Sequence, residues 1–304
     1  DRLAVIDLGS NTFHLLIVEV TDGGEWKEIH KEREYVKLAS GGIKLIDANA
    51  EQRAVDAMIR FRNLMTSHDV KQLRAIGTAA LREAENGIEL ADKLEEITGI
   101  HIDIIQGQEE ARFILLGIKS ALPHLDNYGL IMDIGGGSVE FILYSDTEEL
   151  YKESFKVGVA ILYETFHHSD PISKAEIMKV NDHLKVKLRP LIEKLKKIES
   201  YYLIGASGSF EVLLEALSKK QTGTHWAELD LQDIVGSMDA VITASLDERR
   251  QMPGIPDERL DYIVVAYLLI RFLLNEAFPE RLYFCDYALK EGVLAEMIQN
   301  NNLD

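Results

Sequence analysis

A stretch near the middle of the chain, Asp133-Ile-Gly-Gly-Gly-Ser-Val-Glu140, has the residue types needed to hold a phosphate and a cation together. Gly135, Gly136 and Gly137 carry no Cβ, so successive backbone N–H groups can converge on one oxygen, and Ser138 adds a hydroxyl. Two carboxylates, Asp133 and Glu140, flank the same turn. Carboxylates repel phosphate unless a cation lies between them, which points to Mg2+. The same residues also read as a Gly-rich hairpin with solvated acids, and this stretch alone leaves both readings open.

An internal echo adds weight to the first. Asp7-Leu-Gly9-Ser10-Asn11-Thr-Phe-His-Leu-Leu-Ile17 follows the same design: Asp, aliphatic, Gly, small or polar residues, then an apolar run. The copies begin at Asp7 and Asp133, 126 positions apart, too far for a solenoid repeat. Two similar domains are expected, each with a phosphate-holding hairpin. Hairpins that face each other would grip a phosphate chain from both sides of a cleft.

Three further turns sit where a strand gives way to a helix. In Gly77-Thr78-Ala-Ala-Leu-Arg82 the small-residue turn leaves Arg82 able to reach an anion. Arg82 can equally pair on the surface with Glu85 or Glu89. Glu109 and Glu110 fall in the first turn of a helix, where acids complement the dipole; alternatively one projects as a base. Gly205-Ala-Ser207-Gly208-Ser209 is a third Gly/Ser turn at a helix N-terminus, suited to an anion or nucleotide. His167-His168 is no metal pair, because neighbours on a helix diverge by about 100°, and exposure is expected for both.

The elements that must position these turns alternate. Strands are predicted at 3–6, 13–20, 26–38, 73–76 and 102–105, with an Asp22-Gly-Gly hairpin turn after the second. Helices follow at 50–68, from the Gly77 turn to about 98, and from 108. Strands flank the Gly-rich turn and recur at 150–157, 201–204 and 281–285. Helices are expected from Gly158, over 173–197, from Phe210, and over 229–245, 257–278 and 288–299. The 173–197 helix carries Lys185, Lys187, Lys194, Lys196 and Lys197, either a solvated face or a local source of positive charge. This alternation, with a meander opening each half, is α/β. The polar segment 123–128 marks a boundary between 1–123, rejoined by 288–304, and 124–287.

The bulk composition narrows the class. At 304 residues, 46% apolar and 28% charged, the chain is a globular protein with room for two cores. A net charge of −18 argues against nucleic acid or an anionic membrane as a general partner, so any phosphate site must be local and cation-assisted. The single cysteine, Cys285, reads as a small buried hydrophobe and fits a reducing cytoplasm. No targeting segment is visible, and the longest apolar run, 262–274, is too short to span a bilayer.

Taken together, Asp7-Leu-Gly-Ser-Asn, Gly77-Thr-Ala-Ala-Leu-Arg-Glu-Ala, Gly107-Gln-Glu-Glu-Ala-Arg112 and Asp133-Ile-Gly-Gly-Gly-Ser-Val-Glu140 resemble the exopolyphosphatase/guanosine pentaphosphate phosphohydrolase (Ppx/GppA) family, end to end and in the right order. The resemblance implies a two-domain actin/hexokinase/Hsp70-like fold with an interdomain site, and a last helix returning to the first domain. By it, Glu110 matches the acid that activates water, and Glu140 a second essential acid near the metal. Asp133 matches the carboxylate of the Gly-rich loop, and Arg82 and the turns the phosphate grip. Arg259-Leu-Asp261 stands where Arg-Ala-Asp is usual, Lys290 where Arg is commoner, and Gly205-Ala-Ser-Gly-Ser209 has Ser where Thr is frequent. The chain also stops before the extra C-terminal helical domain of long members, which bears on long-chain processivity.

The expected activity is metal-dependent release of terminal phosphate from inorganic polyphosphate, with Mg2+ as cofactor. The alternatives are 5′-phosphate removal from guanosine pentaphosphate and a non-catalytic phosphonucleotide sensor. A kinase would need an acceptor pocket that no segment suggests. A homodimer is compatible with the sequence.

Overall fold

The computed structural model describes residues 1–21, 23–122, 124, 127–217 and 223–301. It divides into two compact units: Asp1–Ser120 with the chain from Tyr287 onward, and Ala121–Asp286. The Pro123 boundary and the first residue of the Asp22 turn lie outside the described residues.

In the first unit, β1 (Arg2–Leu8), β2 (Phe13–Val20) and β3 (Trp26–Glu34) form the antiparallel meander. Helix α1 (Ala48–Ser67) follows, its N-cap Asp47 accepting from the amides of Asn49 and Ala50 at 2.8 and 2.9 Å. Then come β4 (Gln72–Gly77), α2 (Ala79–Glu83), α3 (Gly87–Thr98), β5 (Ile102–Ile104) and α4 (Gly107–Ala121). Among the described residues the sheet order is β3-β2-β1-β4-β5, with β4 parallel to β1 and β5 parallel to β4. Its core gathers the apolar faces of β1, β2 and α1, including Ile6, Phe13, Met58 and Phe61.

The second unit repeats the plan. It contains β6 (Tyr128–Ile134), β7 (Val139–Tyr144), β8 (Glu149–Phe155), α5 (Val159–Phe166), α6 (Lys174–Lys187), α7 (Arg189–Leu195), β9 (Tyr201–Ala206), α8 (Gly208–Ala216), β10 (Trp226–Leu229), α9 (Leu231–Thr243), α10 (Leu246–Arg250), α11 (Ile263–Ala277) and β11 (Arg281–Cys285). The sheet order is β10-β11-β9-β6-β7-β8. Read from β8 to β11, it reproduces the first sheet strand for strand, with β10 added at the edge. The repeated order is the actin-like two-domain α/β fold that the resemblance implies. Helix α11, buried along most of its length, is the centre of this unit's core. The final helix, α12 (Leu289–Asn301), belongs to the first unit and packs on α4. Here a Cβ on Gly117 would meet Ala288 O at 2.1 Å, and one on Gly292 would meet Phe113 O at 1.8 Å. Only glycine lets these two backbones approach so closely.

Several expected elements differ. The 173–197 helix breaks at Leu188, because Pro190 cannot continue the hydrogen-bond ladder and instead sits in the first turn of α7. The helix expected from Gly77 to 98 is two, interrupted where Ala84 turns extended. Residues 226–229 form an edge strand, and the helix expected from 229 begins at Leu231, capped by Asp230. The 257–278 helix starts at Ile263, after a 3-10 turn at Asp257–Arg259. The third strand ends at Glu34, so 35–38 is freed for the first turn. His167 is buried at 8% exposure, edge-on to Tyr163, while His168 is exposed as expected. Among the described residues no helix is long and apolar enough to cross a membrane.

Candidate active site

In the first unit, the turn after β1 closes with Gly9 N–H donating to Thr12 O at 3.0 Å. A Cβ on Gly9 would sit 2.8 Å from that same oxygen. The segment after β3 fixes the turn from behind: Ala39 N–H donates to Ser10 O at 3.2 Å and Lys37 N–H to Asn11 O at 2.8 Å. In a trans peptide the N–H opposes the C=O, so the amides of Asn11 and Thr12 point the other way. That is the geometry of an anion nest. Ser10 is buried in the turn, and Asn11 Oδ1 is buried with no hydrogen-bond partner among the described residues. An orphaned acceptor here calls for an outside donor, such as water on a cation.

Thr78, buried, joins this turn through its amide and hydroxyl, both directed at Leu8 O at 3.3 and 3.4 Å. One helical turn later, Arg82 leans away from Glu85 and Glu89. Its Nη1 donates to Ile105 O at 2.7 Å and to Glu110 Oε2 at 3.2 Å, and its Nε lies 3.5 Å from Glu83. Glu110 is 7% exposed. Its neighbour Glu109 is exposed and lies 3.7 Å from Arg112 on the helix surface. The two acids thus face different surroundings: one points inward to a guanidinium, the other is solvated.

The sequence reading did not single out Lys290 and Glu291 as site residues. Both are buried, 2.8 Å apart, and Glu291 also accepts from Ala288 N–H at 2.8 Å. Burial opposes the lysine charge, yet Glu291, with a further contribution from Asp7, raises the Lys290 pKa. A buried cation therefore sits within electrostatic reach of the carboxylate that opens the first turn. The clue in the sequence was the Lys-Glu-Gly run after Leu289.

In the second unit, the turn between β6 and β7 closes in the same way, with Gly135 N–H donating to Ser138 O at 2.9 Å. The start of α5 holds it from behind. Val159, Ala160 and Gly158 N–H donate to the carbonyls of Gly135, Gly136 and Gly137 at 3.0, 2.9 and 3.3 Å. The amides of Gly136, Gly137 and Ser138 therefore point away from α5, a second nest. Gly158 is required for this contact, since a Cβ there would lie 2.4 Å from Gly136 O.

Asp133 and Glu140 are directly opposed across the β6–β7 ladder, so their side chains share one face. Glu140 is 1% exposed and accepts from Ser154 Oγ at 2.7 Å. Beside them, Ser207 holds a left-handed φ of 80° and its Oγ accepts from Ile134 N–H at 3.3 Å. A serine in that region is strained and is kept there by its surroundings. Gly208 follows with the Arg259 guanidinium against it, where a Cβ would come within 1.6 Å, and Ser209 is buried.

Among the described residues no group of three or more His, Cys, Asp and Glu side chains is gathered to cage a metal. Mg2+ usually takes only one or two carboxylates and fills its octahedron with water and phosphate oxygens. The opposed pair Asp133 and Glu140 fits that demand.

A profile of the Ppx/GppA phosphatase family matches residues 16–301. A guanosine-5'-triphosphate,3'-diphosphate pyrophosphatase of Photobacterium profundum is 28% identical over 312 residues; the match covers 97% of this chain but 59% of that protein, which is substantially longer. The crystal structure of an exopolyphosphatase from Cytophaga hutchinsonii superposes with a TM-score of 0.93 at 33% identity, covering 99% of this chain and 98% of the other. A family member from Aquifex aeolicus superposes at 0.78 with 22% identity, covering 99% and 98%, a likeness of fold.

Proposed function

The chain belongs to the Ppx/GppA phosphatase family, and from that premise we propose that it is a metal-dependent phosphoanhydride hydrolase releasing terminal orthophosphate from inorganic polyphosphate. The observation that carries this reading is Glu110, a buried carboxylate held against Arg82 beside the first anion nest.

Phosphoryl transfer asks little covalent help of a protein; it needs an aligned water, charge neutralisation and positioning. Glu110, positioned by the Arg82 guanidinium, takes the proton of the attacking water. Arg82 shares its remaining N–H groups with phosphate oxygens. Each unit offers its own nest to non-bridging phosphate oxygens: the amides of Asn11 and Thr12 in the first, and those of Gly136, Gly137 and Ser138 in the second. Asp7, Gly9, Ser10 and Thr78 shape the first nest. Asp133 and Glu140 would hold Mg2+, which when bound neutralises phosphate charge. Ser154 keeps Glu140 aimed.

A second reading, removal of the 5′-phosphate from guanosine pentaphosphate, draws on the strained turn at Ser207–Ser209 with the Arg259 guanidinium against Gly208. That turn offers a cation and a helix N-terminus to a nucleotide. A non-catalytic sensor is disfavoured because both acids, Glu110 and Glu140, are present and buried. Phosphate release measured side by side on polyphosphate, guanosine pentaphosphate and ATP tests the proposal. It predicts a higher kcat/KM for polyphosphate, and the reverse order by tenfold or more would defeat it.

A further inference from the structure

The positive charge of this acidic protein is unevenly spread. Residues 174–197, which form α6 and α7, hold eight Lys and Arg against three Asp and Glu, a balance of +5 in a chain whose net charge is −18. All eight cations are exposed. Arg189 reaches Glu193 at 3.8 Å, but among the described residues none of the seven lysines has a carboxylate within ion-pair distance. The break at Leu188 divides the segment into two short helices, and each turns its apolar residues, Val180, Leu184, Leu191 and Leu195, into the core.

A helix that needs only a solvated outer face usually alternates its charges, because neighbouring like charges repel and acids placed among lysines relieve the repulsion. Here cations outnumber acids eight to three on a protein otherwise rich in acids, with Asp182, Asp239 and Glu276 gathered near Lys185. Within the same unit this surface is one helix removed from the Gly-rich turn. Helix α5 bonds the carbonyls of Gly135, Gly136 and Gly137 at its start and packs against α6.

We infer that the lysine-rich exposed surface of α6–α7 is a second binding surface for the substrate, holding the part of a long polyphosphate chain that lies beyond the unit being hydrolysed. The inference rests on the polyphosphate reading given above. Such a chain carries charge on every unit with a condensed counterion cloud. Lysines suit it, because binding that releases counterions requires charge and not bidentate geometry. The surface supplies the local attraction that the net charge denies, and it acts on long chains only.

The test uses the full chain with Lys185, Lys187 and Lys194 changed together to Gln. Equilibrium binding of long-chain polyphosphate and phosphate release from long-chain polyphosphate and tripolyphosphate are measured at several salt concentrations. For long chains, binding should weaken and KM rise by tenfold or more, and the slope of log K against log salt should become shallower by about 2. Tripolyphosphate kinetics and kcat should match wild type. Equal long-chain binding by variant and wild type overturns the surface, whatever the activity. So does a variant that loses affinity for anionic phosphatidylserine vesicles but keeps it for polyphosphate. A wild-type protein that hydrolyses no polyphosphate defeats the functional reading separately. Polyphosphate binding that still depends on the three lysines would then uphold the surface.

Discussion

Arg82 Nη1 lies 3.2 Å from Glu110 Oε2, although the two residues belong to different helices and different sequence motifs. The same nitrogen donates to Ile105 O at 2.7 Å, at the end of the strand that leads into the helix of Glu110. The guanidinium therefore ties together the two segments that carry the proposed base and the proposed phosphate grip. This changes what its removal should do. A cleft arginine facing only water could be lost without harm to the fold, but Arg82 cannot.

Arg82→Ala should raise the KM for polyphosphate by about 10–100-fold, the loss of one charge-assisted contact of about 1.5–3 kcal/mol. It should also lower the melting temperature, because Glu110 stays buried without its cation. Arg82→Lys should restore part of the stability and less of the KM, since one ammonium cannot reproduce the fork. Steady-state kinetics and a thermal melt on the same preparations decide this. An unchanged KM with a lowered melting temperature would leave Arg82 a purely structural residue.

The metal reading predicts a specific dependence. Chelation should abolish phosphate release and Mg2+ should restore it. Asp133→Asn should raise the Mg2+ concentration for half-maximal activity by at least about tenfold, and Ser154→Ala, which removes one hydrogen bond from Glu140, by less. Activity that survives exhaustive chelation would remove Asp133 and Glu140 from this role.

The duplicated turns were legible in the sequence because a hairpin is a local object. Asp-aliphatic-Gly followed by a hydroxyl residue specifies strand, tight turn and strand within a dozen residues, and the closures of Gly9 on Thr12 and Gly135 on Ser138 agree within 0.1 Å. The break at Leu188 was also signalled, by Pro190, but a strong lysine and leucine pattern ran across it. What stayed hidden depends on distant chain. Residues 226–229 become a strand only by pairing with 282–285. His167 is buried by Tyr163 and the approach of Arg249, which no local pattern announces. The different burial of Glu109 and Glu110 turns on a single step around a helix, and Arg82, which contacts Glu110, comes from another segment.

Gly158→Ala should test how the second nest is held. The added methyl would fall 2.4 Å from Gly136 O, a backbone atom that cannot rotate away. The Gly-rich turn must shift, and displacements of about 1 Å near a reacting centre can cost roughly 100-fold in rate. We expect kcat to fall by at least tenfold and stability by about 1–3 kcal/mol. A fully active, fully stable variant would mean that α5 does not position this turn.

Acid should weaken the fold in two separate steps. Burial, reinforced by the charge of Arg249, lowers the His167 pKa against the opposing pull of Glu176 and Asp170; burial and then Lys187 lower that of His183. Both groups bind protons more readily when unfolded, so their contribution is present in full above the unfolded value of about 6.5 and is lost as pH falls through the folded values. Glu176 and Glu296 are shifted down despite burial, Glu176 by hydrogen bonds from Ser169 and Ser173 and Glu296 by Arg112 and Arg74, so their contribution is lost only below about 4.5. The urea midpoint should therefore decline first between pH 7 and 5.5, before the carboxylates titrate. His167→Gln should flatten that first decline, and an unaltered slope would show that His167 is not its source.

Glu110 is the sharpest test of the chemistry. Its carboxylate is buried beside Arg82, while Glu109, one residue earlier, is exposed and close to Arg112. Glu110→Gln keeps the size and still accepts from the guanidinium, but it cannot take a proton from water. Loss of a general base typically costs about 10²–10⁴ in rate, or roughly 3–5.5 kcal/mol of barrier. We expect kcat to fall at least about 100-fold, with polyphosphate binding kept or slightly tightened because a negative charge near phosphate has gone. Glu109→Gln removes a solvated charge that complements the helix dipole, worth about 0.3–1 kcal/mol of stability, and should leave kcat within a few-fold of wild type. Single-turnover phosphate release on both variants separates chemistry from product release. Equal losses in the two, or a dead Glu109→Gln with an active Glu110→Gln, would mean that the water is activated by some other group.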